Sequence, residues 1–183
     1  PDILTCAKAL TSGYIPIAAV MINHAVFDAI APQTEEIGTF GHGFTYSGHP
    51  VPAAVALETL KIYDEIDLVA RVKKASGPFL ERLHGFGAHA LIGETMGVGL
   101  VGAVEMVADK SSRAAFDPAG KTGAYLVARA QAHGLIVRQL GDRIAFSPPL
   151  IISNTEVSAM FDRFAAALDE TAQWLENGGL TGN

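Results

Sequence analysis

Cysteine is nearly absent from the 183-residue chain. Cys6 stands alone, so no disulfide can form within it, and a reducing compartment, the cytoplasm, is the expectation. Positive charge is also scarce. Thirteen Lys and Arg face nineteen Asp and Glu, for a formal net charge of −6. No basic cluster is long enough to follow a phosphate backbone, which argues against a nucleic-acid partner. The longest apolar stretch, Ile15 to Ile22, contains Pro16 and is too short to span a bilayer, and no signal-peptide pattern is visible. No membrane partner is expected. The histidines His24, His42, His49, His84, His89 and His133 form no HxH or HxxH pair, and Cys6 is remote from them, so no metal site is expected. What the chain does have is core-forming material. Hydrophobic residues make up 49% of it, and its length suits one full domain or two small ones.

The first sixteen residues carry the clearest chemical signal. Lys8 sits among Cys6, Ala7, Ala9 and Leu10, with Asp2 the nearest carboxylate in sequence. A lysine kept from water loses its proton more readily, because desolvation disfavours the ammonium form. A neutral amine can then form a Schiff base with a carbonyl. The ordinary alternative is a strand-end lysine whose head reaches water. After it the chain turns at Thr11-Ser-Gly-Tyr14, and Ile15 to Ile22 reads as a buried strand.

Further along, Asn23 is placed to cap a short helix. Residues 32–38 read as loop. Residues 38–50, rich in glycine and hydroxyls without helical period, read as a structured functional loop. A helix follows from about Val51 to Asp64, with Pro52 tolerated in its first turn. A second spans roughly Leu68 to Leu83, where Gly77-Pro78 predicts a kink or break. Leu91 to Val107 reads as strand, with Val98, Leu100, Val104 and Met106 on its bulkier face. Residues 109–120 are loop. Thr122 to His133 is a helix closed by Gly134. Leu135 to Arg138 and Arg143 to Phe146 form a hairpin around Leu140-Gly-Asp142. Ser153-Asn-Thr-Glu156 is a capping box opening the last helix, which Gly178-Gly179 stops.

Two glycine motifs point elsewhere and are set aside. Gly97-Val-Gly99-Leu-Val-Gly102 matches G-x-G-x-x-G, but the residues after it continue a strand rather than open a helix, so dinucleotide binding is rejected. Strand glycines more often mark a bulge or a close backbone approach. Gly120-Lys-Thr122 resembles the end of a P-loop, yet Ala115 stands where that motif needs glycine.

Two other positions invite anions. Thr45, beside exposed backbone just ahead of a helix, suits a phosphate, or else a plain structural turn. Arg138, after apolar Leu135, Ile136 and Val137, suits a carboxylate through its bidentate fork, or else an internal salt bridge.

Three runs together resemble one family. "PDILTCAKALTSGYIPIAAVMI", "GHGFTYSGHPVPAAVALETLKIY" over residues 41–63 and "GLIVRQLGDRIAFSPPL" over residues 134–150 look like successive segments of class III (omega) aminotransferases, and resemble omega-amino acid:pyruvate aminotransferases. The resemblance covers essentially the whole chain. It implies an α/β fold, the C-terminal part of a fold-type I pyridoxal-phosphate-dependent transferase. Residues 1–64 would close the large cofactor-binding domain, and residues 65–183 would form a small domain with an antiparallel sheet and helices on one side. The chain then reads as the C-terminal half of such an enzyme.

The resemblance also implies roles. Lys8 would be catalytic and would hold pyridoxal 5′-phosphate as a Schiff base. Thr45 would bind the cofactor phosphate of the partner subunit, and Phe44 would lie near that partner's substrate pocket, which implies a homodimer with shared active sites. Arg138 would bind the substrate carboxylate. The reaction would move an amino group from an amine or omega-amino acid to a keto acid such as pyruvate. An aminomutase or racemase of the same family, or a non-catalytic dimerisation fragment, are the alternatives.

Overall fold

The computed structural model describes residues 1–180. The chain divides into two units, Pro1–Asp67 and the residues from Leu68 on. Asp67, at the division, has a left-handed backbone with φ 45°.

In the first unit, β1 (Ile3–Ala7) pairs antiparallel with β2 (Ala18–Ile22), register Ile3↔Ile22 to Ala7↔Ala18. The 3₁₀ turn Lys8–Thr11 follows β1 without a gap. α1 (His24–Ile30) starts where expected, with the Asn23 side chain accepting from the Val26 N–H. Residues 32–38 are not plain loop: α2 (Gln33–Ile37) forms there, with Pro32 at its N-cap and Gly38 ending it at φ 90°. Pro32 fixes a helix-compatible φ, and Glu35 and Glu36 suit the first turn of a helix. Residues 38–49 carry no strand and no helix.

α3 (Pro50–Glu65) has two prolines in its first turn, where a missing N–H costs nothing, and the His49 ring accepts from the Val51 N–H. Ala56 and Thr59 are buried and Tyr63 is half-buried. Their spacing, i, i+3, i+7, puts them on one face of α3, the face turned to the Lys8 turn.

One expectation fails here. β2, within the run that read as a buried strand, is largely exposed, with Val20 66% accessible, and so is its partner β1, with Ile3 55%. A continuous apolar run needs both sheet faces covered. A two-stranded ribbon supplies no such layers, so the side chains that read as buried stand open among the described residues.

The second unit is a four-stranded antiparallel sheet in the order β3 (Ile92–Val98), β4 (Val101–Met106), β6 (Arg143–Phe146), β5 (Arg138–Leu140). Its buried face carries Ile92, Val104, Met106, Ile144 and Phe146. These share one core with Phe79 and Leu83 of α4 (Leu68–Gly85), Leu126 and Ala130 of α5 (Lys121–Ala132), and Phe161, Phe164 and Leu168 of α6 (Asn154–Glu176). Alternation along β4 and β6 explains the burial. α4 runs through Gly77-Pro78 without the break the sequence suggests. Both residues are exposed, whereas Ala75, Phe79 and Leu83 are buried on the opposite stripe, so core packing overrides the lost N–H.

The single strand expected over Leu91–Val107 is a hairpin. Val98 pairs with Val101 across Gly99-Leu100, with Gly99 at φ 59°, as a tight turn requires. The turn resets the alternation. Val98 therefore shares the outer face with Val101 and is 77% accessible, while Leu100 is buried in the turn. Gly97 and Gly102 are partners in the ladder. A Cβ on Gly97 would come within 2.6 Å of Leu80, and one on Gly102 within 2.5 Å of Leu83. Those glycines are where α4 presses closest on the sheet, the close approach inferred for strand glycines.

The hairpin β5–β6 is fastened to α5. Both Asp142 carboxylate oxygens accept at its N-terminus, from Gly120 N–H at 2.7 Å and Gly123 N–H at 2.8 Å, satisfying two of the helix's orphan donors. A Cβ on Gly123 would lie 2.2 Å from the Gly141 carbonyl, so only glycine permits the approach. β5 begins at Arg138, not Leu135. Leu135 to Val137 run into it without ladder pairing, after Gly134 has ended α5 at φ 75°. α6 opens with the full capping box, Ser153 and Glu156 bonding reciprocally. On the α5–α6 contact, Tyr125 stacks on Trp174 with centroids 4.3 Å apart. The Glu170 carboxyl there is held below its ordinary range by hydrogen bonds from Arg129 and then His133.

Candidate functional site

Lys8 directly follows β1 and has a left-handed backbone, φ 54°. Such a conformation is uncommon for a residue with a Cβ and costs of order 1 kcal/mol. A dense set of bonds holds it. Gly13 N–H donates to the Lys8 carbonyl and Ser12 N–H to the Ala9 carbonyl, both at 3.1 Å. The Thr11 hydroxyl donates to the Ile15 carbonyl at 2.7 Å. Ser12 and Gly13 are left-handed too, at 49° and 78°. From α3, the Tyr63 hydroxyl reaches both the Ala9 carbonyl, at 2.7 Å, and the Ser12 hydroxyl, at 2.9 Å.

Beside Lys8 is a hollow of about 530 Å³ lined by Ala7, Gly13, Ile15, Pro16 and Ile17. Lys8 is exposed at its edge rather than removed from water. Of the neighbours that suggested desolvation only Ala7 lines the hollow, and no second layer of the first unit closes over the amine. Lys8 has no ion pair among the described residues, in contrast to Lys61, which lies between Glu58 at 3.5 Å and Glu65 at 3.8 Å.

Thr45 and Phe44 lie in the segment before α3. Its aromatic rings form an edge-to-face series, Phe40 to His42 at 6.0 Å and His42 to Phe44 at 5.6 Å. The Phe44 N–H donates to the Ser47 hydroxyl at 2.9 Å, and Ser47 N–H to the Phe44 carbonyl at 2.8 Å, making a tight turn at Thr45-Tyr46. Phe44 is 78% accessible. Thr45 is exposed, and no hydrogen bond to its hydroxyl is made among the described residues. This turn precedes the N-terminal end of α3, whereas Tyr63 touches the Lys8 turn from near its C-terminal end. The thirteen steps from Pro50 to Tyr63 span about 20 Å of helix axis.

In the second unit, Arg138 opens the edge strand β5, opposite Ala145. It is exposed and makes no ion pair among the described residues. It borders a hollow of about 470 Å³ whose wall includes Leu135, Val137, Phe146, Pro148 and Met160. Arg143, across the hairpin, is already engaged: its Nε and Nη2 donate to Glu105 Oε1 at 3.0 and 2.7 Å.

These donors fit a group with an aldehyde and a phosphate. An unpaired primary amine beside an apolar wall suits a carbonyl carbon, and an exposed threonine hydroxyl in a tight turn suits a phosphate oxygen. Lys8 and Thr45 belong to one unit and Arg138 to the other. Sequence reasoning missed Tyr63 and Asp142. The signal for Asp142 was present, an acidic residue in a Gly-Asp turn. Nothing local distinguishes Tyr63 from any other helix tyrosine.

Residues 1–168 match the sequence profile described as "Aminotransferase class-III". Gamma aminobutyrate transaminase 3, chloroplastic, of Solanum lycopersicum is 46% identical over 96% of this chain, which spans 34% of that protein. Probable gamma-aminobutyrate transaminase 2, mitochondrial, of Oryza sativa subsp. japonica is 43% identical over 94% of the chain, again with only 35% of that protein's length spanned. Among solved structures, the omega transaminase from Pseudomonas jessenii in complex with PMP is 48% identical with a TM-score of 0.92, over 97% of this chain and 39% of that one.

Proposed function

The chain belongs to the class III aminotransferases, and we propose that the enzyme carrying it moves an amino group from an omega-amino acid or amine to a keto acid such as pyruvate, with pyridoxal 5′-phosphate as cofactor. The observation that carries this reading is Lys8, an amine without a salt bridge among the described residues, held at φ 54° beside an apolar hollow. The names of the similar proteins, gamma-aminobutyrate and omega transaminases, support the substrate class.

Bound pyridoxal phosphate supplies an electron sink for the donor's reacting carbon. Lys8 Nζ would hold the cofactor and would serve as the base that moves the proton of that carbon. The Thr45 hydroxyl would donate to a phosphate oxygen, and Phe44 would wall the substrate pocket. Arg138 would hold the substrate carboxylate through two parallel N–H bonds.

Given γ-aminobutyrate or a simple arylalkylamine together with pyruvate, the enzyme should form alanine in step with loss of the donor. Rearranged or racemised donor without alanine would overturn the reading in favour of a mutase or racemase.

Thr45 and Phe44 we assign to the partner's site in a homodimer. The support is the separation along α3: the Lys8 turn is fastened near one end and the Thr45 turn precedes the other. Mixing Lys8→Ala subunits with Thr45→Ala subunits should restore activity above either parent, because one site per mixed dimer then has both residues. Mixed dimers that form yet stay inactive would place Thr45 in the site of its own chain.

A further inference from the structure

We propose that Tyr63 is the positioning residue for Lys8, acting through the backbone of the turn that carries it; this rests on Lys8 being the amine that holds the cofactor.

A lysine does not adopt φ 54° unaided. On its N-terminal side the backbone is fixed by the β1–β2 register, where Ala7 pairs with Ala18. On its C-terminal side, local bonds close the turn, but each belongs to the same short segment and would be lost with it. Tyr63 is the external fastening. Its hydroxyl has one proton, and the Ala9 carbonyl, which can only accept, lies at 2.7 Å. That proton therefore goes to Ala9, and Ser12 must donate its own to the Tyr63 oxygen at 2.9 Å. The arrangement fixes the direction of both bonds. It ties the residue after Lys8 and the left-handed Ser12 to a helix more than fifty residues away in sequence, from a face on which Ala56 and Thr59 are buried. Phenylalanine would fill the same space and could make neither bond.

The test uses the complete enzyme as wild type, Tyr63→Phe and Ser12→Ala. In cofactor-free protein, hydrogen exchange at the Ser12 and Gly13 amides should rise about tenfold in Tyr63→Phe, the effect of one or two hydrogen bonds lost. The rate of acetic anhydride labelling at one fixed pH should change for Lys8 and stay the same for Lys61. Uptake of added pyridoxal 5′-phosphate should slow by a similar factor, and Ser12→Ala, which keeps the Tyr63–Ala9 bond, should show the same changes to a smaller extent. If Tyr63→Phe destabilises the whole protein, both lysines will shift together, and Ser12→Ala, which removes only one of the two bonds, decides the matter. Unchanged exchange and unchanged Lys8 labelling in Tyr63→Phe and Ser12→Ala would overturn the proposal. Borohydride reduction of the wild type separates the two claims: a cofactor label away from Lys8 defeats the functional reading, while amide exchange still reports whether Tyr63 holds the turn.

Discussion

Replacing Lys8 by alanine should abolish amino-group transfer, with a loss of about a thousandfold or more. General-base action alone typically contributes 10²–10⁴-fold, and the covalent hold on the cofactor is lost with it. Borohydride reduction of the wild-type enzyme followed by peptide mapping should place the pyridoxyl group on Lys8. Lys61 is the natural control, since it is exposed on α3 between two glutamates, and Lys61→Ala should leave turnover nearly unchanged. Lys8→Arg should be as inactive as Lys8→Ala, because a guanidinium stays protonated and supplies no free amine. Substantial turnover in Lys8→Ala, or a label on Lys61 or Lys121, would remove Lys8 from the mechanism.

The fold was most legible where a local rule and the tertiary structure agree. The capping box at Ser153, the Asn23 cap, the prolines opening α3 and the glycine ending α5 each report a backbone requirement that one or two side chains satisfy. Legibility failed where the deciding neighbour is distant. Residues 91–107 alternate well enough to pass for one strand, and only the pairing of Val98 with Val101 shows the turn that puts Val98 outside. The apolar runs of β1 and β2 state that two faces want cover, not which residues provide it. The candidate site divides in the same way. The local setting of Lys8, Thr45 and Arg138 left an ordinary alternative open for each, and their proposed roles come from the family resemblance of the three runs that hold them. Tyr63 and Asp142 act across 54 and 22 positions, and no local spacing encodes either contact. The exposure of Lys8 was missed for a related reason: of its small and apolar sequence neighbours only Ala7 lines the hollow, and they do not enclose the amine.

Arg138→Ala should cost about tenfold to a hundredfold in kcat/KM for pyruvate or for an amino-acid donor. A charge-assisted bidentate pair contributes about 1.5–3 kcal/mol, which converts to that range. For a simple arylalkylamine, measured in a single half-reaction, the loss should be small, since that donor has no carboxylate to bind. The contrast with Arg143 sharpens the test. Arg143 spends its guanidinium on Glu105, within a group where Arg113 also pairs with Glu94 and Glu105. Arg143→Ala should therefore act on charged and uncharged donors alike, through the outer face of the sheet. Arg138 has no such commitment among the described residues, and it borders an apolar hollow at the open edge of β5. An arginine so placed keeps its fork available for an incoming carboxylate and can leave it for an uncharged substrate. Arg138→Lys should recover only part of the loss, because an ammonium retains the charge without the fork. Equal losses for pyruvate and the arylalkylamine in Arg138→Ala would mean that the residue supports the edge strand rather than the substrate, and the carboxylate assignment would fall.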